Sequence, residues 1–268
     1  MNGTHRRAVR AAKGLIEEYG IRTPEEIDLE AIACDQGLTV IDGNLSGALA
    51  RLLRKGPRGV VRISDSISYA GQRRFCIAHE LGHFLLHQEH NHLALCTNED
   101  MLAGYARGKP ELEANAFAGE MLMPEALLRG FLDPKALDLE SIERIAGAFD
   151  ASMSASIHRI VDVGAHVCAL VRCEAREIKS FHTCSDFPFR IRGPGSRLDA
   201  TSCAGEFHLD GAIPEKEADV LASAWLDDPR VEGSESIREI TVPMPRFNAS
   251  VTLLWVMPGS RLDQVAAE

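Results

Sequence analysis

The sequence predicts an α+β fold, and three observations predict it. Apolar residues recur at helical spacing through much of the first 162 residues. Strand-like runs dominate after about residue 165. Between the two, a polar motif sits inside an apolar helix at residues 79–83.

Taken in order, residues 7–19 and 24–36 read as helices. Thr23 is placed to cap the second, with Pro24 at its first position and Glu26 three residues from the cap. "GVVRISDS" (59–66) has strand character, with Val60, Val61 and Ile63 between a glycine and a polar turn. Residues 71–88 form a central helix. After a polar loop, "KPELEANAFAGEMLMP" predicts a helix from Pro110 that stops before Pro124. Residues 125–162 read as short helices. Ile142, Ile145, Ala146 and Phe149 share one face, a break falls near Asp150, and Ile157 and Ile160 follow. That spacing is helix–turn–helix-like, but the second helix offers only His158 and Arg159 as cations, which favours a packed bundle over a DNA reader. Beyond it, "HVCALVRCE", "REIKSFHT", "EFHLDG", "SIREITVPM" and "VTLLWVMPG" predict strands, and "PEKEADVLASAWL" one helix. The expected domains are 1–124, 125–163 and 164–268.

Composition narrows the function classes. A net charge of −10 argues against nucleic acid as a direct partner, since phosphate binding needs surplus Lys and Arg. No apolar run approaches the roughly 18 residues of a membrane span. The first 20 residues lack the apolar core of a secretion signal. Seven cysteines without CxxC spacing suit a reducing compartment, so a cytoplasmic location is expected.

"RRFCIAHELGHFLLH" (73–87) carries the chemistry. On a helix, His79 and His83 lie about 40° apart around the axis and one turn apart along it, so both imidazoles can reach one ion. Glu80 borders the same face, where it can act as a general base on water. Phe75, Ile77, Ala78, Leu81, Phe84, Leu85 and Leu86 give the motif a packed setting, and Gly82 leaves the metal face clear. Left buried without a partner, each polar group would cost about 1–3 kcal/mol, which weighs against a purely structural helix. His87 continues the face and could pack over the site beside the ligands, but it lies too far along a straight helix to be a third ligand, and position 89 is Glu. A carboxylate from "PELEANAF" is the better candidate. Glu111 and Glu113 point about 200° apart, so only one can face the ion. Glu111 shares its face with Asn115, which could orient a ligand histidine, whereas Glu113 shares its face with Phe117 and Glu120. Glu111 is the choice. For an oxyanion donor the nearby candidates are Tyr105, His87, His90 and His92.

"QRRFCIAHELGHFLLH" followed by "ELEANAFAGEMLMP" resembles the IrrE/ImmA family of bacterial metallopeptidases. The resemblance is specific over residues 59–124. It implies a zincin-like domain, zinc on His79, His83 and Glu111 (with manganese an alternative native metal), and Glu80 as the catalytic base. It also implies a substrate, a transcriptional repressor of the XRE helix–turn–helix type, whose cleavage would switch on stress, DNA-damage or mobile-element genes. In the IrrE branch a GAF-like domain occupies the position of 165–268, implying a sensor with an unknown signal ligand.

"RLLRKGPRGVVRIS" places Arg51, Arg54, Lys55, Arg58 and Arg62 in or beside the strand before the metal helix. If that strand were a free edge taking up substrate, these cations would steer an acidic segment towards the metal. The rival readings are a DNA-binding regulator acting through 125–162 and a ligand-sensing regulator with a structural metal.

Overall fold

In the computed structural model, which describes residues 3–87, 94–96 and 108–267, the chain opens with α1 (Gly3–Glu18). Ala8, Ala12, Leu15 and Ile16 are its buried stripe, at the i, i+4, i+7, i+8 spacing of an amphipathic helix. The expected helix over 24–36 is divided. Glu26 Oε2 does accept from the Thr23 amide at 3.1 Å, but the turn so capped, Pro24–Glu26, is 3₁₀ and stops there. Asp28 then accepts from the Ala31 amide at 3.0 Å and starts α2 (Leu29–Asp35). A second cap five residues after the first converts one helix into two starts.

Three strands follow: β1 (Leu38–Gly43), β2 (Ala50–Lys55) and β3 (Arg58–Ser64). With β4 (Ala94–Cys96) they form a sheet of order β1-β3-β2-β4. β3 is therefore interior, parallel to β1 and antiparallel to β2. Period-2 alternation divides its neighbours cleanly. Ala50, Leu52, Val61 and Ile63 join the core with Ile77, Leu81 and Phe84 of α3 (Ala70–Leu86). α4 (Lys109–Leu122) packs along both α3 and α1. Where α3 and α4 touch, Gly82 permits the approach, because a Cβ there would lie 3.1–3.2 Å from Phe117.

A short helix, α5 (Glu125–Leu128), leads to α6 (Leu139–Ala148) and α7 (Met153–Val163). The break between them falls where expected, at Asp150, whose φ is 48°. Ile142, Ile145, Phe149, Ile157 and Ile160 are all buried.

The remaining chain contains β5 (Cys168–Glu174), β6 (Glu177–Thr183), α8 (Cys203–Asp210), β7 (Ala218–Leu221), β8 (Ser236–Met244), β9 (Ala249–Trp255) and α9 (Arg261–Ala266). The strands form an antiparallel sheet of order β6-β5-β9-β8-β7. Two expectations are exchanged here. "EFHLDG" is helix, not strand: Ser202 accepts from the Gly205 amide at 3.0 Å to cap α8, and Gly211, at φ 81°, ends it. "PEKEADVLASAWL" contains a strand followed by a 3₁₀ turn (Ala222–Ala224) in place of the expected helix, because Val220 pairs with Ile237 across β7 and β8. Pairing with a distant partner overrides local helix propensity.

By contacts the chain forms two compact units, Met1–Gly130 with Gly147–Ser152, and Phe131–Ala146 with Met153–Glu268. No described helix is long and apolar enough to cross a membrane.

Candidate metal centre

α3 owes its position to its apolar side. Ile77, Leu81 and Phe84 seat it on the inner face of the sheet, so its polar motif is held by a packed helix. His79, His83 and Glu80 are all buried; Glu80 is completely inaccessible. α4 crosses beside them and brings in Glu111, whose side chain is 32% exposed.

Three donor atoms converge. His79 Nε2 lies 3.0 Å from His83 Nε2, and Glu111 Oε2 lies 3.2 Å from the first and 3.4 Å from the second. Among the described residues this is the set whose ligand atoms gather tightly enough, within 4.8 Å, to hold a metal ion. Ligands about 2.0–2.1 Å from a tetrahedral centre are separated by about 3.3–3.4 Å, so the observed spacing fits. The outward nitrogens support the same conclusion. His79 Nδ1 lies 2.9 Å from Asn115 Oδ1, an acceptor, so the ring donates there and turns a lone pair inward from Nε2. Lone pairs and a carboxylate oxygen so close repel one another unless a cation lies among them.

Burial opposes ionisation of Glu111, but the imidazoles of His79 and His83 beside it outweigh that effect. The carboxyl is held well below the ordinary carboxylate range. Burial lowers the pKa of His87, and this outweighs the opposing pull of its hydrogen bond to Glu113.

The structure thus brings together His79, His83, Glu111 and Asn115, with Glu80 next to His79 in the helix. His87 also joins the site, with Nδ1 3.0 Å from His83 Nδ1. The residue that the sequence reading set aside, Glu113, is part of the site as well. Its Oε2 lies 2.8 Å from His87 Nε2. The signal was present in the i, i+4 spacing of His83 and His87, which puts His87 one turn beyond the ligands and within reach of a second acid. Tyr105, His90 and His92 lie outside the described residues.

Sheet order and strand alternation divide the cations between two faces. β3 is interior, so it offers no free edge for strand addition. Lys55, Arg58 and Arg62 are exposed and alternate with the core residues, so they point to the sheet face turned away from α3. Arg51, opposite Arg62, shares that outer face. Arg54 faces inward but is engaged. It donates to the Phe84 carbonyl at 2.7 Å and to the Gly56 carbonyl at 3.0 Å, with its guanidinium 4.3 Å from the centre of the Phe84 ring.

In the second unit, Cys168, Cys173 and Cys184 are buried in the core, and His182 pairs with Asp162 at 2.7 Å. Among the described residues, none of these joins a metal-holding group.

Residues 34–161 match the family model of the IrrE N-terminal-like domain, peptidase M78. Among solved structures, a Mycobacterium tuberculosis transcriptional regulator is similar over 93% of this chain and 76% of its own, with a TM-score of 0.60. The two are 19% identical, so the likeness is one of fold. None of the curated proteins matches the chain.

Proposed function

We propose, from the match of residues 34–161 to the IrrE N-terminal-like peptidase family model, that the chain is a zinc-dependent endopeptidase. The observation that carries this reading is the convergence of His79, His83 and Glu111 beside Glu80. Two imidazoles and a carboxylate would hold the ion, the donor set of open catalytic zinc sites. Bound there, zinc would supply Lewis acidity and make water a better nucleophile near neutral pH. Manganese would be held by the same residues.

The rest is done by the protein. Glu80 takes the proton of the attacking water and delivers it to the leaving amide nitrogen. Its burial keeps that carboxylate out of bulk solvent, so its interactions are screened less than at the surface. Asn115 holds His79 in one tautomer.

As substrate we propose a transcriptional repressor of the XRE helix–turn–helix type, cut to release stress or DNA-damage genes in the cytoplasm. The family resemblance supports this substrate. It likewise supports a GAF-like sensor role for the second unit's sheet. The deciding experiment is zinc stoichiometry in the purified protein, with cleavage of a repressor encoded beside it. Stoichiometric zinc without cleavage of any such repressor would remove the substrate assignment.

A second reading is favoured by the fold shared with a transcriptional regulator: a regulator, DNA-binding or ligand-sensing, whose metal is structural. Against direct DNA binding, Arg159 is buried, which leaves α7 poor in cations for phosphates. Regulation that survives loss of Glu80 would favour this second reading.

A further inference from the structure

We propose that Glu113 and His87 are positioning residues for the metal centre. They act through a buried chain that fixes which nitrogen of His83 faces the ion, and the inference rests on the metal reading above. The chain runs from Glu113 Oε2 to His87 Nε2 at 2.8 Å, then from His87 Nδ1 to His83 Nδ1 at 3.0 Å. The side chains of Glu113 and His87 are only 7% and 8% exposed, so water cannot readily replace either link.

Proton placement follows from donor and acceptor chemistry alone. An ionised carboxylate can only accept, so His87 Nε2 carries the proton and donates it to Glu113. In a neutral ring the other nitrogen is then an acceptor, so the proton between the two rings belongs to His83 Nδ1. His83 Nε2 is left with its lone pair, and that nitrogen is the one 3.0 Å from His79 Nε2. Starting from a metal on His83 Nε2 gives the same arrangement in reverse. Without Glu113, His87 could take its other tautomer and present an N–H to the N–H of His83. His83 would then have to turn, or move its proton to Nε2 and close that nitrogen to the ion.

Helix geometry explains the division of labour. Asn115 reaches His79 directly. His83 lies one turn further on, and Glu113 reaches it only through the ring one turn beyond. Arg7 of α1 flanks the chain, with one guanidinium nitrogen 3.9 Å from Glu113 Oε2 and another donating to the Leu86 carbonyl at 2.8 Å. A histidine eight residues from the first ligand, too distant to bind the ion, thereby gains a role.

The test compares zinc affinity of the full chain, by competition with a chromophoric chelator, in wild type, Glu113→Ala, Glu113→Gln, His87→Ala and the Glu113→Ala/His87→Ala double variant. Loss of such an outer partner weakens binding by roughly 10–100-fold, and that is expected of Glu113→Ala. Gln still offers an oxygen to His87 Nε2–H, so Glu113→Gln should recover part of the loss, and it guards against an Ala variant that does not fold. The double variant should bind no more weakly than His87→Ala, because both changes break one chain. Ring ¹⁵N spectra of the zinc-loaded protein should show His87 protonated at Nε2, and that preference should disappear in Glu113→Ala. Affinity within about twofold of wild type in Glu113→Ala would overturn the proposal. So would multiplying losses in the double variant, or a Gln variant as weak as Ala. Wild type that binds no zinc would instead defeat the metal reading itself, before any variant is compared.

Discussion

Asn115 Oδ1 accepts from His79 Nδ1 at 2.9 Å, so one turn of α4 carries both a candidate ligand, Glu111, and the group that aims another ligand. Asn115→Ala should therefore weaken zinc binding by roughly 10–100-fold while leaving the fold intact. Asn115→Asp, which still accepts from the same nitrogen, should bind closer to wild type. Equal losses in both variants would mean that the contact does not orient His79.

Glu80 and Glu111 should separate metal binding from catalysis. Glu111→Ala removes one of three donors and should lower zinc affinity more than any variant of Asn115 or Glu113. Glu80→Gln should keep its zinc and its melting temperature but lose about 10²–10⁴-fold in cleavage rate, the usual contribution of a general base. Zinc loss in Glu80→Gln would show that Glu80 holds the ion or its ligands and would remove its proposed role.

Gly82→Ala tests whether the closeness of α3 and α4 sets the site. Alanine should favour the helix by about 1 kcal/mol. Its methyl would meet Phe117 at 3.1–3.2 Å, including the Phe117 Cβ, which cannot swing aside. Overpacking of this kind costs about 1–3 kcal/mol, so the net effect should be a modest loss of stability. The more telling readout is the metal. Pushing α4 away moves Glu111 from the histidines, so zinc affinity should fall even where the melting temperature barely changes.

The convergence of the candidate ligands is legible in the sequence because it depends on local periodicity. His79, His83, Glu111 and Asn115 take their directions from two helices whose phase is written in neighbouring residues. What failed to show in the sequence was decided at a distance. α8 forms with Glu239 accepting from the Ala204 amide at 2.8 Å, 35 residues away in sequence, and β7 exists through its pairing with β8. Glu113 shows a related limit. Its 200° offset from Glu111 keeps it out of the His79, His83 and Glu111 cluster, but not out of a chain that reaches His83 through His87. The cations show the same division. Strand alternation at Arg54, Lys55 and Arg58 is readable in the sequence, but sheet order is not, and it is sheet order that makes β3 interior.

Arg54 is the inward member of that cation group, and replacing it should damage the protein where replacing its neighbours does not. Its guanidinium donates to the Phe84 carbonyl, one of the last carbonyls of α3, which has no partner within the helix. It also stacks over the Phe84 ring. One charged hydrogen bond and one cation–π contact, discounted for partial exposure, make Arg54→Ala cost about 1–2 kcal/mol. In a protein of this size that lowers the melting temperature by about 2–4 °C per kcal/mol. Arg54→Lys should recover only part, because ammonium lacks the planar fork that serves both carbonyl and ring. Lys55→Ala and Arg58→Ala should leave the melting temperature unchanged. Repressor cleavage should follow the same order at every salt concentration, since the effect passes through the end of the metal helix. Slower cleavage in a Lys55→Ala/Arg58→Ala double variant that recovers in high salt would instead return the outer-face cations to substrate capture.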